Sequence, residues 1–340
     1  MANRWLVVET YGPAGREPTV IAKGRTPLAM RPLASVMGRN QYLSQMRGLI
    51  ASVAASGTAA KVMSSDGLRQ LIAEPLTDFS GNVNGVQAWI GKKGEQPPDK
   101  ELAGAWYFNL TTHRIGGSDE LLDLYRVPMA ERKKQKLTAE AFGRLLPHGD
   151  QGAALALLAR GRPGDEHQAT WVVRCDDGEE RAVNLACRVV EERRPGGTAE
   201  IVVRGITHDI AAAGSSSSEP QTHLLEREIV RAERQPGRAR AVVDEQSLTL
   251  LRWVDDALPG VAWTGNGRYQ PAFHWGDTRL VRRLAADFAG TDRAAGIIRL
   301  RTEEGGWMRV HLVASRMPLD AETTGALVIL TMLEDGASGG

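Results

Sequence analysis

The sequence predicts an α+β protein of three tandem domains, each an antiparallel sheet of about five strands flanked by helices. Three observations carry this. At 340 residues the chain has material for two or three separately cored domains of about 150 residues. Two punctuated stretches divide it: residues 91–99, where Pro97 and Pro98 lack N–H donors and Gly91 and Gly94 favour turns, and residues 211–220, small and polar with Ser215 to Ser218 in a row. The resulting blocks, 1–96, 100–211 and 241–336 with a linker over 212–240, each mix short β-type runs with helical periodicity.

Block one opens on the apolar run Trp5, Leu6, Val7 and Val8, followed by Val20 and Ile21, with a turn at residues 12–16 between them. From 41 to 55 the residues Tyr42, Leu43, Met46, Leu49, Ile50 and Val53 recur at steps of three and four, which gives a helix with one apolar stripe. Residues 61–63, 71–72 and 83–90 supply three further strands, so five short strands surround one helix.

In block two, the aromatic strand 106–110 leads to a helix over 119–125, which Ser118 or Asp119 caps and which ends before Pro128. Helices follow over 137–146 and 151–160, then a meander of strands at 169–175, 181–190 and 199–207 with turns at Asp177-Gly178 and Gly196-Gly197. Block three reads as a helix through Leu248, Leu251, Val254 and Leu258, a strand at 261–264 and a helix through Leu280, Val281, Leu284 and Phe288. Strands at 297–301, 307–315 and 327–333 close it, repeating the end of block two as a diverged internal repeat.

The residues Gly104 to Leu110 running into Ser118-Asp119-Glu120-Leu121-Leu122 resemble the opening of a PAS domain. Pro147-His148-Gly149-Asp150 is similar to that family's His-Pro-Asp-Asp corner with its order altered, and Asp177-Gly178 with the trailing Arg181 resembles its late turn. Val203 to Ile210 resembles its closing strand, with Ala211 where the family has threonine. Block three resembles PAS more loosely, through Glu304-Gly305-Gly306-Trp307, and block one resembles a GAF or a PAS domain. The arrangement is similar to mycobacterial proteins built only of sensor domains, one GAF and two PAS. The resemblance implies a non-enzymatic cytoplasmic sensor that binds small ligands or proteins, lacks an effector domain of its own, and signals to an effector in trans. An adaptor with filled cores is the alternative, and an enzyme with a dispersed site a further one. The implied pocket in block two would be lined by Trp106, Phe108, Leu121, Tyr125, Phe142, Trp171 and Leu185.

Composition bounds the function classes. A hydrophobic share of 42 % and a charged share of 24 % are those of globular chains, and a net charge of +1 lacks the basic field that non-specific nucleic-acid binding uses. The two cysteines, Cys175 and Cys187, make neither a disulfide framework nor a four-cysteine metal site. They fall on strands beside inward-facing Trp171, Val173, Val183 and Leu185, so they read as small buried hydrophobes, and neither sits in the helical motif a flavin photosensor needs. None of the seven histidines pairs at zinc spacing, and haem ligation is not indicated, so no cofactor or metal is predicted; His274, between Phe273 and Trp275, is the least ordinary of them. The main nucleophile and phosphate-loop motifs are absent and no catalytic residue emerges. No apolar run is long enough for a membrane span, and the early run 5–8 is too short for a signal-peptide core. Arg279, Arg282 and Arg283 share one helix face, which suits solvent first and an acidic partner or a phosphate site second, and residues 224–234 suggest a short linker helix.

Overall fold

The apolar run after Arg4 becomes a central strand. In the computed structural model, which describes residues 4–11, 16–133, 135–146, 149–193, 199–212, 232–265 and 267–333, β1 (Leu6–Glu9) pairs antiparallel with β2 (Thr19–Lys23) and with β6 (Val83–Lys92). With β3 (Thr26–Pro32), β4 (Ala60–Met63) and β5 (Arg69–Thr77) the first sheet has six strands in the order β3-β2-β1-β6-β5-β4. The short α1 (Leu33–Met37) precedes α2 (Leu43–Ser56), whose Met46, Leu49, Ile50 and Val53 are buried in one core with Val8, Val20, Leu71 and Val86. This is the stripe that the sequence periodicity marks. The helix ends because Gly57 enters the left-handed region at φ 65° and donates its N–H to the Val53 carbonyl at 2.9 Å. Strand β3 is a sixth strand beyond the five expected, and although it holds Pro27 and Pro32 it sits at the sheet edge, where proline is tolerated.

The second sheet carries β7 (Ala103–Asn109), β8 (Arg114–Gly117) and, after the two-residue β9 (Lys136–Leu137), the meander β10 (Glu166–Arg174), β11 (Glu180–Arg193) and β12 (Ala199–Ala212). Five of its strands run in the order β10-β11-β12-β7-β8. Helix α3 (Asp119–Leu124) starts as expected, with the Ser118 hydroxyl accepting the Leu121 N–H at 3.2 Å and two acidic residues in the first turn. The first two sheets share a core in which Val7, Tyr11, Ile21, Ala22 and Leu76 meet Ala103, Ala105, Ala186 and Ile206. They form one compact unit, residues 1–135 with 161–217.

A second unit holds residues 136–160 and 218–340. Its sheet contains β13 (Arg238–Val243), β14 (Leu250–Trp253), β15 (Arg293–Arg301), β16 (Trp307–Pro318) and β17 (Thr324–Met332) in the order β14-β13-β17-β16-β15. The second and third sheets therefore share one strand order, with the first strand between the second and the last. This is the diverged repeat that the pattern of blocks two and three predicts. Helices α4 (Thr138–Phe142) and α5 (Gln151–Arg160), which the sequence places in block two, belong to this second unit: α4 packs on β14, and Arg160 pairs with Asp244 at 2.8 Å. Helix α6 (Thr278–Thr291) buries Leu284 and Phe288 against the third sheet.

The helix expected through Leu248 and Leu258 is instead the strand β14. Asp244 accepts N–H bonds from Gln246 and Ser247, and Leu248 takes φ 57°, so the chain turns before Leu250 and pairs with β13. The strand expected at 261–264 is reduced to a single bridge between Val261 and Thr302. The expected turn at Gly196-Gly197, the Pro147-His148 corner, almost all of the linker helix over 224–234 and most of the turn at 12–16 fall outside the described residues. Among the described residues, no helix is long and apolar enough to cross a membrane.

Candidate functional site

Strand β1 ends by burying a charge. Glu9 is 1 % exposed, and its carboxylate accepts the Thr19 hydroxyl at 2.5 Å, the Tyr11 N–H at 2.8 Å and the Arg188 guanidinium at 3.4 Å. Arg188, itself buried on β11, also reaches Glu166 at 2.7 Å. A carboxylate taken this far from water is tolerable only with such partners. Beside it the Tyr11 hydroxyl is buried and, among the described residues, has no hydrogen-bond partner; burial first, then the Glu9 charge, pushes its pKa well above that of ordinary tyrosine. The Nε of Arg188 is likewise buried and unpartnered among the described residues.

A second polar seam lies next to the first. Asn84, fully buried on β6, donates to the carbonyls of Trp106 at 2.7 Å and Gly205 at 3.0 Å, and accepts from Arg204 at 2.9 Å. Arg204 is also paired with Glu192 and lies 3.6 Å from Asp78. Above these two seams opens a cleft of about 750 Å³, with Tyr11, Arg188 and Arg204 among its lining, Arg16 beside them, and a rim made by 54–57 at the end of α2, the turn 81–83, Pro163-Gly164 and 189–192. Asp78 fixes one side of the rim by accepting the N–H groups of Ser80 at 2.8 Å and Asn82 at 3.1 Å. The cleft thus offers three guanidinium groups, two glutamates and apolar Val83 and Val190 within reach of one small molecule.

Six of the seven pocket residues expected from sequence lie in the first unit. Trp106, Phe108, Leu121 and Trp171 are buried, while Tyr125 and Leu185 are half-buried. They pack closely: a Cβ on Gly104 would stand 2.3 Å from the Leu121 backbone, and one on Gly205 would stand 2.0 Å from the Trp106 ring. Phe142 lies on α4 in the second unit. Sequence pattern did not mark Tyr11, from block one, or Arg188 and Arg204, both from block two; the one available signal was a lone Glu9 closing an apolar strand.

Burial sets the character of both cysteines and of His208. Cys175, one residue past the end of β10, and Cys187 on β11 are both buried, as expected; the Cys175 thiol donates to the Leu124 carbonyl at 3.6 Å, and burial pushes the Cys187 thiol up to about 12. His208 on β12 is fully buried, neither ring nitrogen has a partner among the described residues, and burial pushes its pKa down to about 4. Among the described residues, no cluster of three or more His, Cys, Asp or Glu could hold a metal ion.

By its architecture this is a multidomain α+β protein made of three antiparallel sheets, with a polar cleft in its first compact unit. Residues 4–99 match the Rv3651-like N-terminal domain and residues 223–338 the Rv3651-like C-terminal domain; together these cover more than half of the chain, which belongs to the Rv3651-like family. Among solved structures, the chain is similar to a putative uncharacterized protein from Mycobacterium tuberculosis, with 24 % identity, a TM-score of 0.84, and coverage of 98 % of this chain and 97 % of that one. The two therefore share a fold over their full length. Smaller likenesses are to a sensory box histidine kinase/response regulator from Burkholderia thailandensis E264 (19 % identity, TM-score 0.25, 39 % of this chain and 92 % of that one) and to the N-terminal domain of a diguanylate cyclase with PAS/PAC sensor from Marinobacter aquaeolei (21 % identity, TM-score 0.26, 32 % and 95 %). No curated protein matches the chain.

Proposed function

We propose that this chain is a non-catalytic sensor of the GAF/PAS kind that takes a small polar molecule in the cleft of its first unit and acts on a signalling protein in trans. The observation that carries this reading is the cleft itself: about 750 Å³ over two ion-pair seams, with the Tyr11 hydroxyl and the Arg188 Nε beneath it unpartnered among the described residues. Mixed charges on its wall fit a ligand carrying both donor and acceptor groups, such as an amino acid or a dicarboxylate with a polar tail. Such a ligand would act by favouring one arrangement of the rim segments over another, since only a differential affinity moves an equilibrium. The shared strand order of the second and third sheets supports a PAS-like repeat, and the long helix on the first sheet supports a GAF-like domain.

The alternative, an adaptor whose domains bind nothing small, draws on the close packing of Leu121 and Trp106 in the central sheet. A thermal-shift titration with amino acids, dicarboxylates and nucleosides separates the two. The sensor reading expects at least one class to raise the melting temperature of the native chain. It expects that rise to vanish in Ala55→Trp, an exposed rim position where an indole fills the cleft. No shift with any class, or an equal shift in Ala55→Trp, overturns it in favour of the adaptor.

A further inference from the structure

A ladder of aromatic and arginine side chains crosses the surface of the second unit. Trp275 is 81 % exposed and stacks on His274 at 5.2 Å, and His274 meets the edge of Trp307 at 4.7 Å. The Arg301 guanidinium lies over the Trp307 ring at 4.1 Å and faces Tyr269 at 5.9 Å, and Arg268 approaches Tyr269 from 5.5 Å. His274 is held in register by accepting the Gly276 N–H at 3.0 Å on Nδ1. Phe273, also exposed, adjoins the ladder.

The 3-10 turn at Trp275 runs directly into α6, whose exposed face carries Arg279, Arg282 and Arg283 within its first two turns. The opposite side buries Leu284 and Phe288. All three arginines are exposed; Asp287, also exposed and four residues after Arg283, is the one carboxylate on α6 and borders their stripe, leaving an excess of positive charge. The carboxylate that stands nearest in sequence, Asp277, is taken by Arg299 through contacts of 2.6 and 3.0 Å. Exposed indole and guanidinium groups are the side chains that dominate the energy of protein interfaces, and a desolvatable aromatic patch flanked by an excess of cations calls for an acidic occupant with an apolar anchor.

We infer that this face, from Tyr269 and Trp307 through Trp275 to Arg283, docks an acidic polypeptide segment of a partner protein, one whose carboxylates meet the arginines while an aromatic or aliphatic side chain covers Trp275. Glu303 and Glu304, exposed in the turn before Trp307, set a negative pole at one end and oppose the continuous phosphate chain of a nucleic acid. The assignment deepens the partner half of the proposed function and rests on it. It uses none of the cleft residues, so the two readings fail separately.

The test is fluorescence anisotropy of a labelled Glu/Tyr copolymer with the full chain, beside a Lys/Tyr copolymer and an oligothymidylate. The expected result is salt-sensitive binding of the Glu/Tyr copolymer alone, weakened about tenfold in Trp275→Ala and again in Arg282→Glu/Arg283→Glu, with circular dichroism unchanged because these positions are exposed. Four results would each overturn it: no binding of the copolymer, equal binding by the variants, tighter binding of the oligothymidylate, or concentration-dependent self-association that Trp275→Ala abolishes. A chain that keeps its cleft ligand while failing here retains the sensor reading and loses only this surface.

Discussion

Arg188 and Glu9 form a buried ion pair that joins β11 to β1, the two side chains being 6 % and 1 % exposed at a separation of 3.4 Å. Because Glu9 also holds Thr19 and the Tyr11 N–H, the pair is the centre of a network linking the first two sheets. Removing one partner leaves a charge in a medium that cannot solvate it, so Arg188→Met lowers stability by about 3 kcal/mol in urea unfolding. Adding Glu9→Gln to that variant costs less than the single changes predict, because the stranded carboxylate is gone; a strictly additive double mutant would show that the network is not coupled.

Gly104 is fixed by contact rather than by backbone conformation. A methyl at that position would press on the N and Cα atoms of Leu121, 2.3 Å away, where no side-chain rotation relieves it. Gly104→Ala therefore destabilises the chain by about 2 kcal/mol, the ordinary cost of overpacking. Thermal unfolding of the variant measures it, and an unchanged midpoint would mean that α3 yields freely.

His208 makes stability depend on pH. In the unfolded chain its ring takes a proton near pH 6.5, whereas burial delays this to about 4 in the folded chain. Between those values the unfolded state binds more protons, so stability is full above about pH 6.5 and falls as pH drops towards 4, by on the order of 3 kcal/mol. Asp209 opposes the shift and Arg25 reinforces it. Urea unfolding at several pH values across this window tests the slope, and His208→Phe, which removes a buried polar ring with no partner among the described residues, is expected to flatten it.

The two thiols report on folding. Cys175 and Cys187 are buried, and the Cys187 thiol at about 12 stays protonated at neutral pH. A chromogenic disulfide reagent is expected to find neither cysteine in the native chain and both in denaturant. Rapid native labelling would mean that the second sheet opens far more readily than its close packing implies.

Much of the fold was legible in the residues because local chemistry and tertiary packing agree there. The stripe Met46, Leu49, Ile50 and Val53 gave α2, Ser118 gave the start of α3, and the Asp177-Gly178 turn gave the β10 and β11 hairpin. Where they disagree the reading failed: the leucines at 248, 251 and 258 have helical spacing, but the Asp244 turn and the open edge of β13 make a strand of that segment. The cleft was not legible, since Tyr11, Arg188 and Arg204 are brought together only by the packing of two sheets, and no local pattern marks a residue whose partner is more than a hundred positions away. The assignment of α4 and α5 to the second unit has the same origin.

The central claim is that the cleft over Tyr11, Arg188 and Arg204 is where a small molecule acts. Hydrogen-exchange mass spectrometry of the full chain, with and without the compound that raises its melting temperature, tests this most directly. Slowed exchange is expected at 54–57 and 81–83, which adjoin where Gly57 meets Val83, together with the further rim segments 163–164 and 189–192. Protection confined to the strands around Trp106 and Leu121, or to the second unit, would contradict it.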